Sequence, residues 1–267
     1  MRAYFMNRMI SYNIWRWSML AFTGALLLFA TQFFSCQGFK KPADTTVQLY
    51  TKKYQSQLEN FAFLVKESHD DCFPTSNQSC VIEKIITPLS SASGVVLSSS
   101  SSHIFVITAN HFCENSISEK MMGETKIRIF IGDTSRLANI ITGSEKADLC
   151  LLSALRFKDE NFKTTKLASR MPLIGDKLIN IAAPDGMASP NTRLMFNGNF
   201  AGCENLSCVF TIPATFGSSG SAVYNEEGEL VSLLVAAAVN FENVSMGPHI
   251  DTLHILVETV EDSIDIY

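Results

Sequence analysis

Three short stretches of this chain hold residue types that can do chemistry together. "GSSGSAV", residues 217–223, seats Ser219 in a bend with Gly217 two residues before it and Gly220 directly after. "VITANHFC" ends an apolar run on His111, and "EKADLCLLSAL" opens another on Asp148. A serine hydroxyl is a poor nucleophile until a base takes its proton, and an imidazole oriented by a carboxylate is such a base. The two glycines free the backbone for angles that other residues resist. A bend built only to turn would need one.

Each of these residues has competitors. Ser218 and Ser221 flank Ser219, but neither lies between Gly-x and Gly. Asp133 in "IGDTSRL" sits in an evident turn, where Asp serves local hydrogen bonding. His69, His103, His249 and His254 read as surface or core histidines.

The elements that would position these groups are short. From about residue 81 the texture is apolar runs broken by turn residues: "SGVVLS", "HIFVITA", "TKIRIFIG", "DKLINIAA", "CVFTIPA", "ELVSLLVAAAV". Many short strands at such spacing argue an all-β sandwich or barrel. The serine run 98–102 reads as a hairpin turn. Leu253, Leu256, Val257 and Val260 share one face of a closing amphipathic helix, capped by Asp251 or Thr252. Upstream, Val47, Leu49, Tyr50, Tyr54, Leu58, Phe61 and Leu64 recur at near-helical spacing, so residues 37–80 are expected to be a partly helical juxtamembrane segment.

The N-terminus differs from the rest. Residues 1–16 carry Arg2, Arg8 and Arg16 and no acid, and Trp17 to Phe34 follow without a charge. This is an apolar helix serving as a signal peptide or a membrane anchor over residues 1–36, since a span needs roughly 17–25 residues. A buried core helix is the bland alternative. "FFSC" resembles a lipoprotein processing site that would make Cys36 a lipidation candidate, although Phe33 and Phe34 depart from the usual pattern. Setting Cys36 aside leaves six cysteines, an even number that suits an oxidising compartment. Cys72 and Cys80 are close in sequence, as are Cys203 and Cys208, which leaves Cys113 and Cys150; other pairings stay open. No CxxC occurs and the spacings fit no zinc pattern. Net charge is −5 with no basic cluster beyond the N-terminal region, which argues against a nucleic-acid partner.

The order His, Asp, Ser in an all-β texture resembles the chymotrypsin-fold (trypsin-like) serine peptidases. The resemblance covers roughly residues 85–260. In motif spacing, above all the hairpin "AVYNEEGELVSLLV" after Ser219, it looks like the bacterial periplasmic heat-shock proteases. It implies two packed six-stranded β-barrels with a short C-terminal helix, preceded by the N-terminal apolar helix, with the peptidase domain over 81–267. It implies an endopeptidase of protein or peptide substrates with no cofactor and no metal. His111 would be the base, Asp148 its orienting carboxylate, and Ser219 the nucleophile; the N–H groups of Gly217 and Ser219 would form the oxyanion hole. Ser218 stands where the digestive enzymes have an aspartate that pairs with a cut N-terminus, so that activation is not expected. Pro213 stands where trypsin-type specificity requires an acid. The pocket is therefore expected to be small and apolar, built from Pro213, Ala236, Ala237 and Ala238, with His249 behind it. No substrate-binding module is expected after residue 260. Placement is expected in the periplasm or cell envelope, with the membrane as partner through residues 1–36. The rival reading is a protease-fold scaffold that has lost activity.

Overall fold

The computed structural model describes residues 53–70, 73–74, 80–81, 85–114, 124–189 and 192–264. The apolar segment with Cys36, the cysteine Cys72 and the side chain of Cys80 lie outside the described residues.

The chain opens with helix α1 (Gln55–Glu59), strand β1 (Phe61–Asp70) and the two-residue strands β2 (Phe73–Pro74) and β3 (Cys80–Val81). β4 (Ile85–Ser99), β5 (His103–Ala109), helix α2 (Asn110–Cys113), β6 (Glu124–Ile131), β7 (Thr134–Ser144) and β8 (Leu149–Leu155) follow. They close into an antiparallel barrel in the order β1-β4-β5-β8-β7-β6. As the serine run suggests, residues 100–102 turn β4 into β5.

The second half comprises β9 (Lys177–Ala182), a 3-10 turn (Pro184–Gly186), β10 (Leu194–Glu204), β11 (Ser207–Phe210), β12 (Ser221–Tyr224), β13 (Leu230–Leu234), β14 (Ala236–Ala237), β15 (Ser245–Pro248) and helix α3 (Ile250–Ile264). Its sheet runs β13-β12-β9-β10-β11-β15-β14. This is a half-barrel of seven segments rather than a second closed barrel of six strands. The two ends of the sheet, β13 and β14, are consecutive in the chain and are parted only by Val235, whose N–H donates to Met246 O at 2.9 Å. The break at Val235 turns one strand path into two segments.

Three apolar clusters explain why the strands read as continuous apolar runs. Leu64, Val96, Val106, Ile129 and Leu152 fill the first barrel. Leu178, Phe200, Phe210, Val223 and Val231 fill the second sheet. Val95, Ile107, Leu149 and Leu151 from the outer face of the first barrel pack with Ile181, Tyr224, Leu233 and Leu253 between the two. Successive residues of β5 and β8 thus face opposite cores, so both faces are buried and period-two alternation is lost. Each fully buried aliphatic side chain contributes about 1.5–3 kcal/mol. The shared cluster, not the exposed loops, therefore fixes how the two sheets meet.

The helical spacing is corrected at its C-terminal end: Leu58 lies on α1, but Phe61 and Leu64 lie on β1, while residues 47–52 are outside the described residues. β1 is buried on both faces, so its apolar residues mimic a helical spacing. β1 belongs to the barrel, and the compact unit runs from Lys53 to Tyr267. The closing helix begins at Ile250, and its first turn is capped by His249: Thr252 N–H donates to His249 O at 3.0 Å and Asp251 N–H to His249 Nδ1 at 3.3 Å. Leu253 and Leu256 are buried as the periodicity predicts.

Disulfides join Cys113 to Cys150 and Cys203 to Cys208. The first ties α2, which carries His111, to β8, which begins directly after Asp148, across 37 residues of sequence. The combined replacement Cys113→Ala and Cys150→Ala is expected to cost about 2–4 kcal/mol, because the unfolded chain regains the freedom of that loop. Denaturant unfolding of the oxidised wild type and the double variant measures it. An unchanged midpoint would show that the bond adds nothing to the fold.

Candidate active site

His111 is carried by the single turn α2 at the end of β5, and Asp148 stands on the residue before β8. β5 and β8 are paired with Ala109 opposite Leu149, so register alone brings the two side chains together. Asp148 adopts φ 51°, a left-handed angle that Asp tolerates better than most residues. Its backbone carbonyl accepts the Asn110 N–H at 3.1 Å, and its Oδ1 accepts the His111 N–H at 2.8 Å. Its Oδ2 lies 2.7 Å from His111 Nδ1. His111 Nε2 in turn lies 2.9 Å from Ser219 Oγ. An ionised carboxylate only accepts hydrogen bonds, so Nδ1 carries the proton and Nε2 is left to accept from the serine hydroxyl.

The His111 and Asp148 side chains are 48 % and 28 % exposed, so a substrate can reach the imidazole while the carboxylate is partly screened. Burial is the largest influence on the Asp148 carboxyl and pushes its pKa up. The hydrogen bonds from the His111 ring and N–H, the charge of His111 and the Asn110 N–H together outweigh it, holding the group below the ordinary 3.8.

Ser219 comes from the second sheet, on the loop before β12. Gly217 and Gly220 both have left-handed φ, 83° and 80°. A Cβ on Gly220 would fall 2.2 Å from Thr108 Oγ1 and 2.4 Å from Ser93 O, so the first barrel presses directly on this loop. The loop closes through Ser218 N–H to Thr215 O at 3.0 Å and Ser221 N–H to Ser218 O at 3.0 Å. The Phe216 carbonyl accepts the Asp185 N–H at 2.6 Å. Because a trans peptide sets C=O and N–H on opposite sides, the Gly217 N–H points away from Asp185. Among the described residues, neither the Gly217 nor the Ser219 N–H donates to a protein acceptor.

Cavities flank Ser219 on two sides. One of about 460 Å³ is lined by Ala214, Thr215, Leu234, Val235 and the run Ala236–Val239. The other, about 650 Å³, is lined by Lys66, Ser90, His111, Phe112 and Gly217 among others. Phe216, 88 % exposed, borders both. Ala236, Ala237 and Ala238 line the first as the sequence suggests. Pro213 does not, although its neighbour Ala214 does. His249 is also absent from it. β15 pairs with β14 at its Ser245 end and runs four residues, about 13 Å, to a His249 whose N–H donates to Leu206 O. Phe216, Thr215 and Val239 carry no sequence signal, because only the fold places them at the cavity.

Asp133 lies in the β6–β7 turn. His103 contacts Ser102, and His254 Nε2 lies against Ala168 O. Among the described residues no cluster of three or more His, Cys, Asp or Glu could hold a metal.

The trypsin-like peptidase domain family matches this chain over residues 92–233, just over half of its length. The chain belongs to that family. No curated protein matches the sequence. Among solved structures, the serine endoprotease from Yersinia pestis is similar at 14 % identity and a TM-score of 0.57, over 79 % of this chain and 65 % of that one. This chain thus spans about two thirds of the Yersinia pestis chain. An inactive-form mutant of Rv3671c from M. tuberculosis H37Rv is similar at 10 % identity and a TM-score of 0.55, over 80 % of this chain and 93 % of that one. At these identities the likeness is one of fold.

A carboxyl whose pKa is lower folded than unfolded stabilises the fold above its unfolded value, and that contribution is lost as pH falls through the folded value. The stability difference between wild type and Asp148→Asn is therefore expected to shrink as pH falls below about 5. Denaturant midpoints across pH 2–5 read it. A difference that grows over that range would contradict the lowered Asp148 value.

Proposed function

We propose that the protein is a serine endopeptidase that hydrolyses peptide bonds through His111, Asp148 and Ser219. The observation that carries this reading is the unbroken chain Asp148 Oδ2, His111, Ser219 Oγ, with links of 2.7 and 2.9 Å. Ser219 Oγ attacks the scissile carbonyl while His111 Nε2 takes its proton. Asp148 keeps the proton on Nδ1 and stabilises the imidazolium. The N–H groups of Gly217 and Ser219 meet the developing oxyanion. The imidazolium then protonates the leaving amine, and water, activated by the same histidine, hydrolyses the acyl-enzyme. No cofactor enters the scheme.

Ser218 supports a site that needs no activating cut. It is buried, and its Oγ accepts the Thr215 N–H at 3.3 Å within its own turn, where a carboxylate would need a cationic partner. The alanine wall at 236–238 supports a preference for small or medium apolar residues before the cleaved bond, since a Lys or Arg there would lose hydration without an acid to meet it. The basic and apolar N-terminus supports attachment to a membrane with the peptidase domain outside the cytoplasm.

Cleavage of a peptide library by purified wild type and variants tests the reading. Ser219→Ala and His111→Ala are expected to lower turnover on the order of 10⁶-fold, and Asp148→Asn on the order of 10⁴-fold. Ser218→Ala and Ser221→Ala should keep most activity. Full hydrolysis by folded Ser219→Ala would end the assignment, and an inert wild type would favour a scaffold. Dominant cleavage after Lys or Arg would overturn the pocket.

A further inference from the structure

Ser93, on β4 of the first barrel, is fully buried and spends every polar group it has on the loop that carries Ser219 or on the elements bracing it. Its N–H donates to Ser219 O at 2.8 Å. Its hydroxyl donates to Gly217 O at 2.8 Å and accepts the Ala183 N–H at 2.9 Å. Its carbonyl accepts the Thr108 hydroxyl at 2.7 Å. A hydroxyl is one donor and an acceptor at once, and both capacities are used here. Alanine offers neither, and a thiol offers both only weakly.

We propose that Ser93 is a positioning residue that holds the Gly217 N–H in the orientation required to bind the oxyanion. Gly217, like Gly220, has no Cβ to restrain its rotation, and it sits at φ 83°. The peptide before it is held by Asp185 N–H on Phe216 O, and the peptide after it by two bonds, the Ser93 hydroxyl on Gly217 O and the Ser218 N–H on Thr215 O. Without the Ser93 hydroxyl that second peptide keeps only the bond inside its own turn, and the residue is freer to turn about the first. The Ala183 N–H, in the strand end that leads to Asp185, loses its acceptor in the same change. The Ser93 N–H still fixes Ser219 O, and no bond of Ser93 reaches His111 or Asp148. The defect should therefore fall on the oxyanion site and spare the nucleophile and its base.

This inference rests on the proposed peptidase activity, and the experiment separates the two. Ser93→Ala and Ser93→Cys are compared with wild type for kcat and KM on the best library peptide, and for inhibition by a tripeptide boronate ending in Ala. In that adduct the Ser219 oxygen bonds boron and its proton passes to His111. Hydrogen exchange of residues 183–186 and 215–221 is followed in the same proteins. Ser93→Ala is expected to lower kcat by about 10²-fold, as a misplaced group does, with KM and the pH profile of kcat/KM unchanged. Boronate affinity should fall with kcat, exchange should quicken in the two segments, and Ser93→Cys should lie between. Wild-type kcat and unchanged exchange in Ser93→Ala would overturn the proposal. So would a rise in KM or a shifted pH profile, since either marks a merely structural role. If Ser93→Ala does not fold, Ser93→Cys decides by the same readings. If wild type itself is inert, the peptidase reading fails, and exchange alone still decides whether Ser93 holds the loop.

Discussion

Of the two hydrogen bonds, 2.7 and 2.9 Å long, that link Asp148, His111 and Ser219, the second joins side chains carried by two sheets that share no strand. Such bonds weaken steeply with a few tenths of an ångström of displacement, so the relative placement of the sheets is the constraint on which everything else depends. The cluster of Val95, Ile107, Leu151, Ile181, Tyr224 and Leu233 meets it by close packing, which resists displacement. Polar contacts refine the result: Ser93 N–H reaches Ser219 O, and Gly220 leaves room for Thr108 to approach. The apolar cluster sets the gap and the buried polar residues set the register within it.

On the first barrel the same demand is met differently. His111 and Asp148 are neighbours through strand pairing, and the Cys113–Cys150 bond closes the two elements on each other. Nothing comparable ties down the Ser219 loop, which is held by its own turn and by the first barrel. The Ser219 half of the site thus takes part of its order from the first barrel.

Much of this was legible in the sequence where the signal is local. The glycine-flanked serine, the histidine ending "VITAN" and the aspartate opening "LCLLSAL" are types at spacings that point to one chemistry, and the short strands point to an all-β fold. What stayed hidden depends on long-range contact. β1 read as part of a helix because both its faces are covered. His249 aligned with the pocket strand in sequence but is carried to the opposite end of β15 by pairing with β11. Ser93 looked like any small residue before a glycine in "SASGVV"; only its partners, up to 126 positions away at Ser219, give it meaning. Phe216 and Val239 are exposed apolar residues whose place at a cavity follows from the fold alone.

In the proposed mechanism Ser219, and no other serine, is made nucleophilic by His111 and Asp148. Treatment of the native protein with a fluorophosphonate, followed by peptide mapping in the mass spectrometer, tests it most directly. One adduct is expected, on Ser219, absent from folded His111→Ala. An adduct on Ser218 or Ser221 instead, or none on the folded wild type, would contradict it.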